Sequence, residues 1–450
     1  MSMVDLPIIV PDVDFDEVEA DLRAVFASGQ LTSGPYGVDF ERAVADFVGV
    51  EEAVATTSAT TALHLALAAL GVGPGDEVLL SDFTFPATAN VVIQTGAAPV
   101  FVDSSPNDLS MDPECLRRLV SDRTKVVMPV DPFGQPADYS AIGRIAEEVG
   151  ASVVVDAACS LGGERDDTRC GAHGLMACFS FHPRKVVTCG EGGMVTTSDL
   201  ELAERLRTLR NHGSIRAGGP ALSFVEPGFN YRLGEVPAVI GLSQVRRLEE
   251  ILADRRETAA RYDERLTGVD GLAVPRPASG TKWSYQSYVV VLDDEVDRDK
   301  VILDMADEGI GTTIGTYACH QHSAYARWGY VDGDLPNSAR FAGQTLTLPL
   351  VPRMSIEQVD RVVGALLQIL GTGLGLRFAV HTCASWRWDC GRTRQTTFVC
   401  SSIKRRFLGR FGRRRCLMIQ ISLRSDPGSL GGPYCDRLYR RSPAGWPITT

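Results

Sequence analysis

The amino-acid sequence predicts an α/β protein: a large domain with a mostly parallel sheet flanked by helices, followed by a smaller α+β domain. Three observations support this prediction. Short apolar runs alternate with helical patterns between residues 39 and 195, a long charged helical pattern follows, and mixed strand and helix patterns come after it. A chain of 450 residues that is 44% hydrophobic is long enough to bury two cores.

Five short runs rich in β-branched and apolar residues predict buried strands in the first domain. They are Glu77–Leu80, Val100–Val102, Val126–Val130, Val153–Val155 and Cys178–Phe181. The apolar spacing of Ala59–Leu70 and Tyr139–Val149 predicts helices between them. Repeated strand and helix units imply a parallel sheet covered by helices. Such a sheet gathers its ligand site at the C-terminal ends of its strands.

The second domain is expected to begin near residue 250. Interleaved Arg and Glu over Gln244–Leu266 predict one long helix that leads away from the sheet. A strand pattern at Ser284–Leu292 and helical patterns near Lys300–Glu308 and at Ile356–Leu370 follow. These features predict a large domain over residues 1–250 and a small domain over residues 251–370.

Residues 371–450 differ from the rest of the chain in charge and pattern. They carry 15 Lys and Arg against 3 Asp and Glu, or +12, whereas residues 1–370 carry −23. Arg clusters with scattered Trp and Cys and no helical or strand period allow two interpretations. One is a basic tail that binds nucleic acid, and the other is a disordered or non-native extension, such as one translated past a frameshift. The acidic body argues against nucleic acid or an anionic membrane as its own partner.

The cysteines and the N-terminus favour a cytoplasmic protein. The eleven cysteines form no CxxC pair, which is more typical of free thiols in a reducing compartment than of disulfides or a zinc site. No metal site is expected from the histidine spacing either. No apolar run approaches the roughly 18 residues of a membrane span, and the first residues lack a signal-peptide pattern.

Lys185 is the first candidate catalytic residue. It stands in FSFHPRKVVTCGEGGMVTT, in a turn after a predicted buried strand and ahead of a glycine-rich stretch. Partial burial there favours the neutral amine that can attack an aldehyde. A solvated surface lysine is the alternative when the motif is taken alone.

Asp156 and the segment around Thr60 add two further parts of a possible site. Asp156 ends the apolar run VVVD, and a buried carboxylate there needs a cation or several donors, such as a protonated pyridine nitrogen. The alternative is a helix cap after a strand. The hydroxyl-rich TSATTALHL, which contains Ala59 and Thr60, begins a helix whose free N–H groups suit a phosphate. Ordinary capping by Ser and Thr explains it equally well.

Several motifs in order give the chain a specific resemblance. They are LTSGPYG, SATTALHLALAALGVGPGDEVLL, DFTFPATAN, GQPAD, VVDAACSLG, FSFHPRKVVTCGEGGMVTT, RNHG and NYRLGEVPAVIGLSQVRRL, with GIGTTIGTYACHQHSAY and LPNSARFAGQTLTLPLVPRMS in the small domain. Together they resemble the DegT/StrS family of sugar aminotransferases, over nearly all of residues 5–370. The resemblance implies the fold-type-I architecture of aspartate aminotransferase, with pyridoxal 5'-phosphate (PLP) as cofactor.

The resemblance also assigns residue roles, which are expectations at this point. It makes Lys185 the Schiff-base lysine and Asp156 the partner of the pyridine nitrogen. The other implied cofactor contacts are Ala59, Thr60, Phe85 on the cofactor ring, Cys159 near the 3-hydroxyl, Ser180, and Asn230 supplied by the opposite subunit. That last contact implies a homodimer with shared active sites. Tyr317 and His320 of the small domain are candidate substrate contacts.

Four positions depart from the family pattern. Ala59 stands for a usual Gly, Cys159 for Gln or His, Arg184 for a frequent Thr, and Asp131 for a common His. A subset of the family that dehydrates sugars has His in place of the Schiff-base lysine. Here Lys185 is present and His182 falls three residues too early for that role.

The resulting prediction is an aminotransferase that moves an amino group, from L-glutamate by resemblance, to a keto sugar that is nucleotide-linked. One alternative is another PLP reaction on the same fold, such as elimination, replacement, or amination of a cyclitol or other non-sugar ketone. A second alternative is a non-catalytic regulator that uses the basic tail to contact DNA. The presence of both Lys185 and Asp156 argues against the regulator.

Overall fold

The structure, a computed structural model, describes residues 4–106, 108–216, 218 and 221–371. These residues belong to one compact unit, Met1–Leu376. Of the predicted tail, residues 372–450 lie outside the described residues, so both interpretations of that segment stay predictions.

Strands and helices alternate along the described chain. The strands are β1 (Glu52–Thr56), β2 (Glu77–Ser81), β3 (Phe83–Thr84), β4 (Ala98–Val102), β5 (Thr124–Met128), β6 (Ser152–Asp156), β7 (Glu164–Arg165), β8 (Thr168–Arg169), β9 (Met176–Ser180), β10 (Gly193–Thr197), β11 (Ser214–Ile215), β12 (Ser223–Phe224), β13 (Leu272–Ala273), β14 (Thr281–Lys282), β15 (Tyr288–Leu292), β16 (Thr313–Ile314), β17 (Tyr317–Ala318) and β18 (Thr345–Leu348). The helices are α1 (Phe15–Ser28), α2 (Pro35–Val48), α3 (Ala59–Ala69), α4 (Ala87–Thr95), α5 (Pro113–Leu119), α6 (Tyr139–Glu148), α7 (Leu200–Arg210), α8 (Glu235–Arg246), α9 (Leu248–Leu266), α10 (Arg298–Asp307), α11 (Pro336–Gln344) and α12 (Ile356–Ile369).

A seven-stranded sheet forms the centre of the large domain, in the order β1-β10-β9-β6-β5-β2-β4. All its strands run parallel except β10, which pairs antiparallel with both neighbours. The five predicted strands are present as β2, β4, β5, β6 and β9. Apolar cores lie on both faces of the sheet, which explains why strands such as β2 are continuous apolar runs without alternation.

The prediction of one helix over Gln244–Leu266 is wrong at Arg247. There the chain has φ −108° and ψ 11°, so α8 ends and α9 begins. Leu242 of α8 lies in the large-domain core, and α9 packs in both cores: Leu252 near its start lies in the large-domain core, whereas Tyr262 lies in the small-domain core. The alternating charges continue through the break and therefore give no sign of it.

A four-stranded antiparallel sheet, in the order β13-β15-β18-β16, forms the centre of the small domain. Its core includes residues of α9, α10 and α12. The N-terminal segment joins this core through Leu6, which is buried and forms a parallel bridge with Ile310. The division of the chain at residue 250 stays a proposal.

Two short strand pairs connect the domains. β14 pairs with β7, and β17 pairs with β3. Both pairings are antiparallel and join small-domain residues to loops of the large domain. The described residues include no helix that is both long and apolar enough to cross a membrane. The cytoplasmic location stays a prediction.

Candidate active site

A cavity of about 550 Å³ opens where strands of the large sheet end. Asp156 is the last residue of β6 and Ser180 the last of β9, so the cavity lies at the edge that the strand pattern predicts. Seven of the ten predicted site residues line it. They are Ala59, Thr60, Phe85, Asp156, Cys159, Ser180 and Lys185.

Lys185 is held in the turn that follows β9. Its backbone N–H donates to the carbonyl of His182 at 2.9 Å, which fixes the turn. The side chain is half-buried, and its Nζ lies 3.0 Å from Sγ of Cys159. The lysine amine therefore faces the cavity with a thiol as its neighbour, where the resemblance leads us to expect Gln or His.

Asp156 is buried at the base of the cavity. Its carboxylate accepts from Thr88 Oγ1 at 2.7 Å and from the N–H of Ala158 at 3.2 Å. Burial raises the pKa of Asp156, and the two hydrogen bonds and the charge of Lys185 oppose that shift only partly. A buried carboxylate of this kind favours a cationic partner in the cavity.

Thr88 is a functional residue that the sequence analysis missed. It lies on α4, within the motif DFTFPATAN that carries the family resemblance. The motif could have drawn attention to it, but no spacing rule connects Thr88 to a carboxylate 68 residues further along the chain. Its hydroxyl orients the Asp156 carboxylate.

The N-terminus of α3 forms one end of the cavity. Ser58 caps this helix and exchanges hydrogen bonds with Thr61 in a capping box. The first N–H groups of a helix have no intrahelical acceptor, and Ala59 and Thr60 line the cavity at that point. A Cβ at Gly193 would collide with the backbone of Ser58 and Ala59, so β10 approaches the helix start closely because this residue is glycine. The arrangement suits a phosphate.

Phe85 lines the cavity, and Tyr317 lies beside it. Phe85 is 64% exposed, so its ring is accessible to a ligand in the cavity. The ring of Tyr317 lies 6.2 Å from it, centroid to centroid. Tyr317 itself is outside the cavity lining.

The structure does not bring His320 to the cavity. Its Nδ1 lies 2.6 Å from Asp82 Oδ2 and its Nε2 lies 3.0 Å from Asp332 Oδ1. Burial opposes the imidazolium, but the two carboxylates outweigh it and raise the pKa of His320. Both ring nitrogens are engaged, and the side chain joins the small domain to the end of β2. The predicted substrate contact of His320 stays a prediction.

Asn230 lies apart from the cavity of its own chain. It is exposed and forms an antiparallel bridge with Asn211. The predicted contribution of Asn230 to an opposite subunit stays a prediction.

Asp131, one of the departures from the family pattern, lies in a buried hydrogen-bond network. Its buried carboxylate accepts from Tyr139 Oη at 2.6 Å, from Ser160 Oγ at 2.5 Å and from the N–H of Ala137 at 3.0 Å. Burial raises its pKa to about 6. Asp131 therefore fixes the loop that leads into GQPAD, and its own N–H donates to the carbonyl of Asp156 at 3.1 Å.

The small domain contributes a wall that sequence reasoning missed. It consists of Gln286, Ser287, Thr313, Gly315, Thr316, Thr347, Leu348 and Leu350. These residues are neutral and come from several short segments, so no motif marks them. From the large domain, His182, Arg184 and Glu191 also line the cavity, and Arg184 and Glu191 add charge to it.

The cavity residues fit pyridoxal phosphate. Lys185 offers an amine for the cofactor aldehyde, Asp156 a carboxylate for its ring nitrogen, the start of α3 a phosphate site, and Phe85 an aromatic face for its ring. The pairing of such a lysine with a buried carboxylate on a mostly parallel sheet defines the class: a PLP-dependent enzyme of fold type I.

The chain belongs to the DegT/DnrJ/EryC1/StrS aminotransferase family, whose model matches residues 13–367. It is therefore a PLP-dependent aminotransferase, and the predicted family, fold class and cofactor are confirmed.

Known proteins of the family are similar over most of their length. The spore coat polysaccharide biosynthesis protein SpsC of Bacillus subtilis is 37% identical over 378 residues, which cover 81% of this chain and 97% of SpsC. The UDP-4-amino-4-deoxy-L-arabinose–oxoglutarate aminotransferase of Shewanella sediminis is 34% identical over 82% of this chain and 100% of its own. The solved Spr1654 protein of Streptococcus pneumoniae, in its PLP form, has a TM-score of 0.78 and 26% identity, over 81% of this chain and 98% of that chain.

Proposed function

We propose that this enzyme transfers the amino group of L-glutamate to the ketone of a nucleotide-linked keto sugar, in amino-sugar or secondary-metabolite biosynthesis. The observation that carries the proposal is the pairing of Lys185 and buried Asp156 in one cavity of an aminotransferase-family chain. The Shewanella relative, whose name includes oxoglutarate and a UDP-linked amino sugar, supports both the donor and the class of acceptor.

Lys185 and Asp156 divide the work in this proposal. When bound, PLP would supply an electron sink for the pair that the donor Cα retains after losing its proton. Lys185 Nζ removes that proton as a general base and later returns a proton to the acceptor carbon. Asp156 holds the proton on the ring nitrogen of the cofactor, since a buried carboxylate is stabilised by a cation beside it. One lysine thus serves both half-reactions.

The surrounding residues orient these groups. Thr88 holds the Asp156 carboxylate, and Cys159 lies 3.0 Å from the lysine amine. The start of α3, with Thr60 and Ser180, would hold the cofactor phosphate, while Phe85 would cover the ring. The small domain and Ile8 close the other side of the cavity, which limits water at the reacting carbon.

The proposal includes a homodimer in which Asn230 enters the active site of the opposite subunit. Its exposed position away from its own cavity supports this. Exposed apolar side chains nearby, including Leu222, Phe224 and Val225, give the same region a surface suited to a second copy of the chain.

The test measures both half-reactions of PLP-loaded enzyme. Incubation with L-glutamate and nucleotide-linked keto sugars should give 2-oxoglutarate and an aminated sugar detectable by mass. Lys185→Ala should lose at least about 1,000-fold in rate, because both proton transfers use this amine. Borohydride reduction followed by peptide mapping should find the cofactor on Lys185. Cofactor attached elsewhere, or no 2-oxoglutarate formed by wild-type enzyme, would refute the proposal.

A further inference from the structure

Arg255 is a buried cation whose described hydrogen bonds go to backbone oxygens. It is 4% exposed, and its Nε and Nη2 donate to the carbonyls of Tyr285 at 2.8 Å and Gln286 at 2.7 Å. Tyr285 has a φ of 48°, in the left-handed region that a non-glycine residue adopts at a cost. Because a buried cation bonds to this segment and one of its residues is strained, the backbone conformation of the segment is closely fixed. We call residues 283–287 the brace.

The brace contacts the loops on both sides of Lys185. Gln286 Nε2 donates to the carbonyl of Arg184 at 2.7 Å, directly before Lys185 in the chain. Ser284 Oγ donates to the carbonyl of Cys159 at 3.0 Å, and the thiol of Cys159 lies 3.0 Å from Lys185 Nζ. The brace therefore bonds to the backbone of one residue next to the lysine and of another that touches it.

A third hydrogen bond joins the brace to the large domain. The N–H of Ser284 donates to the carbonyl of Gly134 at 3.1 Å. Gly134 has a φ of 95°, and a Cβ there would collide with Ser284 Oγ. The close approach of the two domains at this point therefore requires glycine.

We propose that the brace, held by Arg255, positions Lys185, with Gln286 as the positioning residue that acts through the Arg184 carbonyl. The small domain thereby fixes the turn that carries the catalytic amine, as well as closing the cavity. This inference rests on the proposed function only for the role of Lys185 as the cofactor-bearing residue. It assigns Gln286 and Arg255 a role that the chemistry of the cavity alone does not require.

The test compares Gln286→Met, which keeps length but removes the donor, with Arg255→Lys and Arg255→Met in PLP-loaded enzyme. We expect Gln286→Met to lower kcat about tenfold and to change the KM for L-glutamate less than about twofold. We also expect the pH midpoint of the bound cofactor's absorbance to shift by about half a unit or more, because the Schiff-base nitrogen at Lys185 changes its surroundings. Arg255→Lys should retain more activity than Arg255→Met. If Arg255→Met does not fold, the result for Gln286→Met alone decides the test.

Arg261→Met is the matched control. Arg261 is also on α9 and donates to a backbone carbonyl, that of Met354 at 2.7 Å, within the small domain. Its loss should lower Tm without moving the absorbance midpoint. The inference is overturned if Gln286→Met also changes only Tm, or if it raises KM with an unmoved midpoint, which would make Gln286 a substrate contact. Because the midpoint is read without substrate, failure of the proposed acceptor chemistry leaves this test intact.

Discussion

The two walls of the cavity differ in what they present to a ligand. The large-domain wall carries the ionisable groups Lys185, Asp156, Cys159 and Arg184, whereas the small-domain wall carries amide, hydroxyl and aliphatic groups. The first wall is built on the ends of parallel strands and the start of a helix, where backbone geometry is rigid. The second wall comes from several short segments of the chain.

This difference suggests separate tasks for the two walls: one holds the reacting groups, and the other determines which substrate fits. Reactive groups need fixed positions, and strand ends supply them, while neutral side chains on short segments set the shape that a substrate must fill. Substitutions on the first wall should therefore change the rate of the chemical step, and substitutions on the second should change which acceptor is preferred.

The largest effect expected among the remaining variants is that of Asp156→Asn. A neutral amide cannot hold the cofactor's ring nitrogen protonated, so kcat should fall by about 100-fold or more while protein still binds cofactor. Steady-state kinetics and the absorbance of bound PLP measure the two quantities separately.

Asp131→Asn is the control for that prediction. Asp131 is also fully buried but lies outside the cavity lining, so its loss should lower Tm and leave kcat within about threefold. If the two variants lost equal activity at equal folded fraction, the special role of Asp156 would be disproved.

Arg184→Thr tests the role of the positive charge that Arg184 adds to the first wall. Arg184 lines the cavity, is exposed, and among the described residues forms no ion pair. L-Glutamate carries two carboxylates, and a charge-assisted hydrogen bond to one of them would strengthen donor binding. We expect the KM for L-glutamate to rise about tenfold and kcat to change less.

Arg184→Lys should recover part of that loss, and added salt should reduce the difference between wild type and Arg184→Thr. An unchanged KM in Arg184→Thr would show that this guanidinium serves no donor carboxylate.

The first wall could be predicted from the sequence because its residues sit in ordered motifs. Asp156 ends a strand, Lys185 lies in the turn after one, and Thr60 lies at the start of a helix, and parallel strands bring such positions to one edge. The second wall could not be predicted, since residues such as Gln286 and Thr316 come from separate segments of the chain and line one cavity only in the folded protein. The surroundings of His320 could not be predicted for a related reason: its motif does not reveal that Asp82, 238 residues earlier, bonds its Nδ1.

The break at Arg247 shows a similar limit. Local charge spacing continues through residue 247, but the backbone leaves helical geometry there, and α9 then runs from the large-domain core at Leu252 to the small-domain core at Tyr262. Local pattern predicts elements, whereas long-range packing decides where they bend.

Thr316→Val should have the smallest effect and tests the second wall directly. Thr316 lines the cavity, and valine keeps its shape while removing the hydroxyl. Loss of one neutral hydrogen bond to a sugar, about 1 kcal/mol, should raise the acceptor KM about fivefold and leave the glutamate half-reaction unchanged. Stopped-flow absorbance with L-glutamate alone and steady-state kinetics with each acceptor separate the two. If Thr316→Val slowed the glutamate half-reaction as strongly as the acceptor step, the two walls would share the chemistry and the division between them would fail.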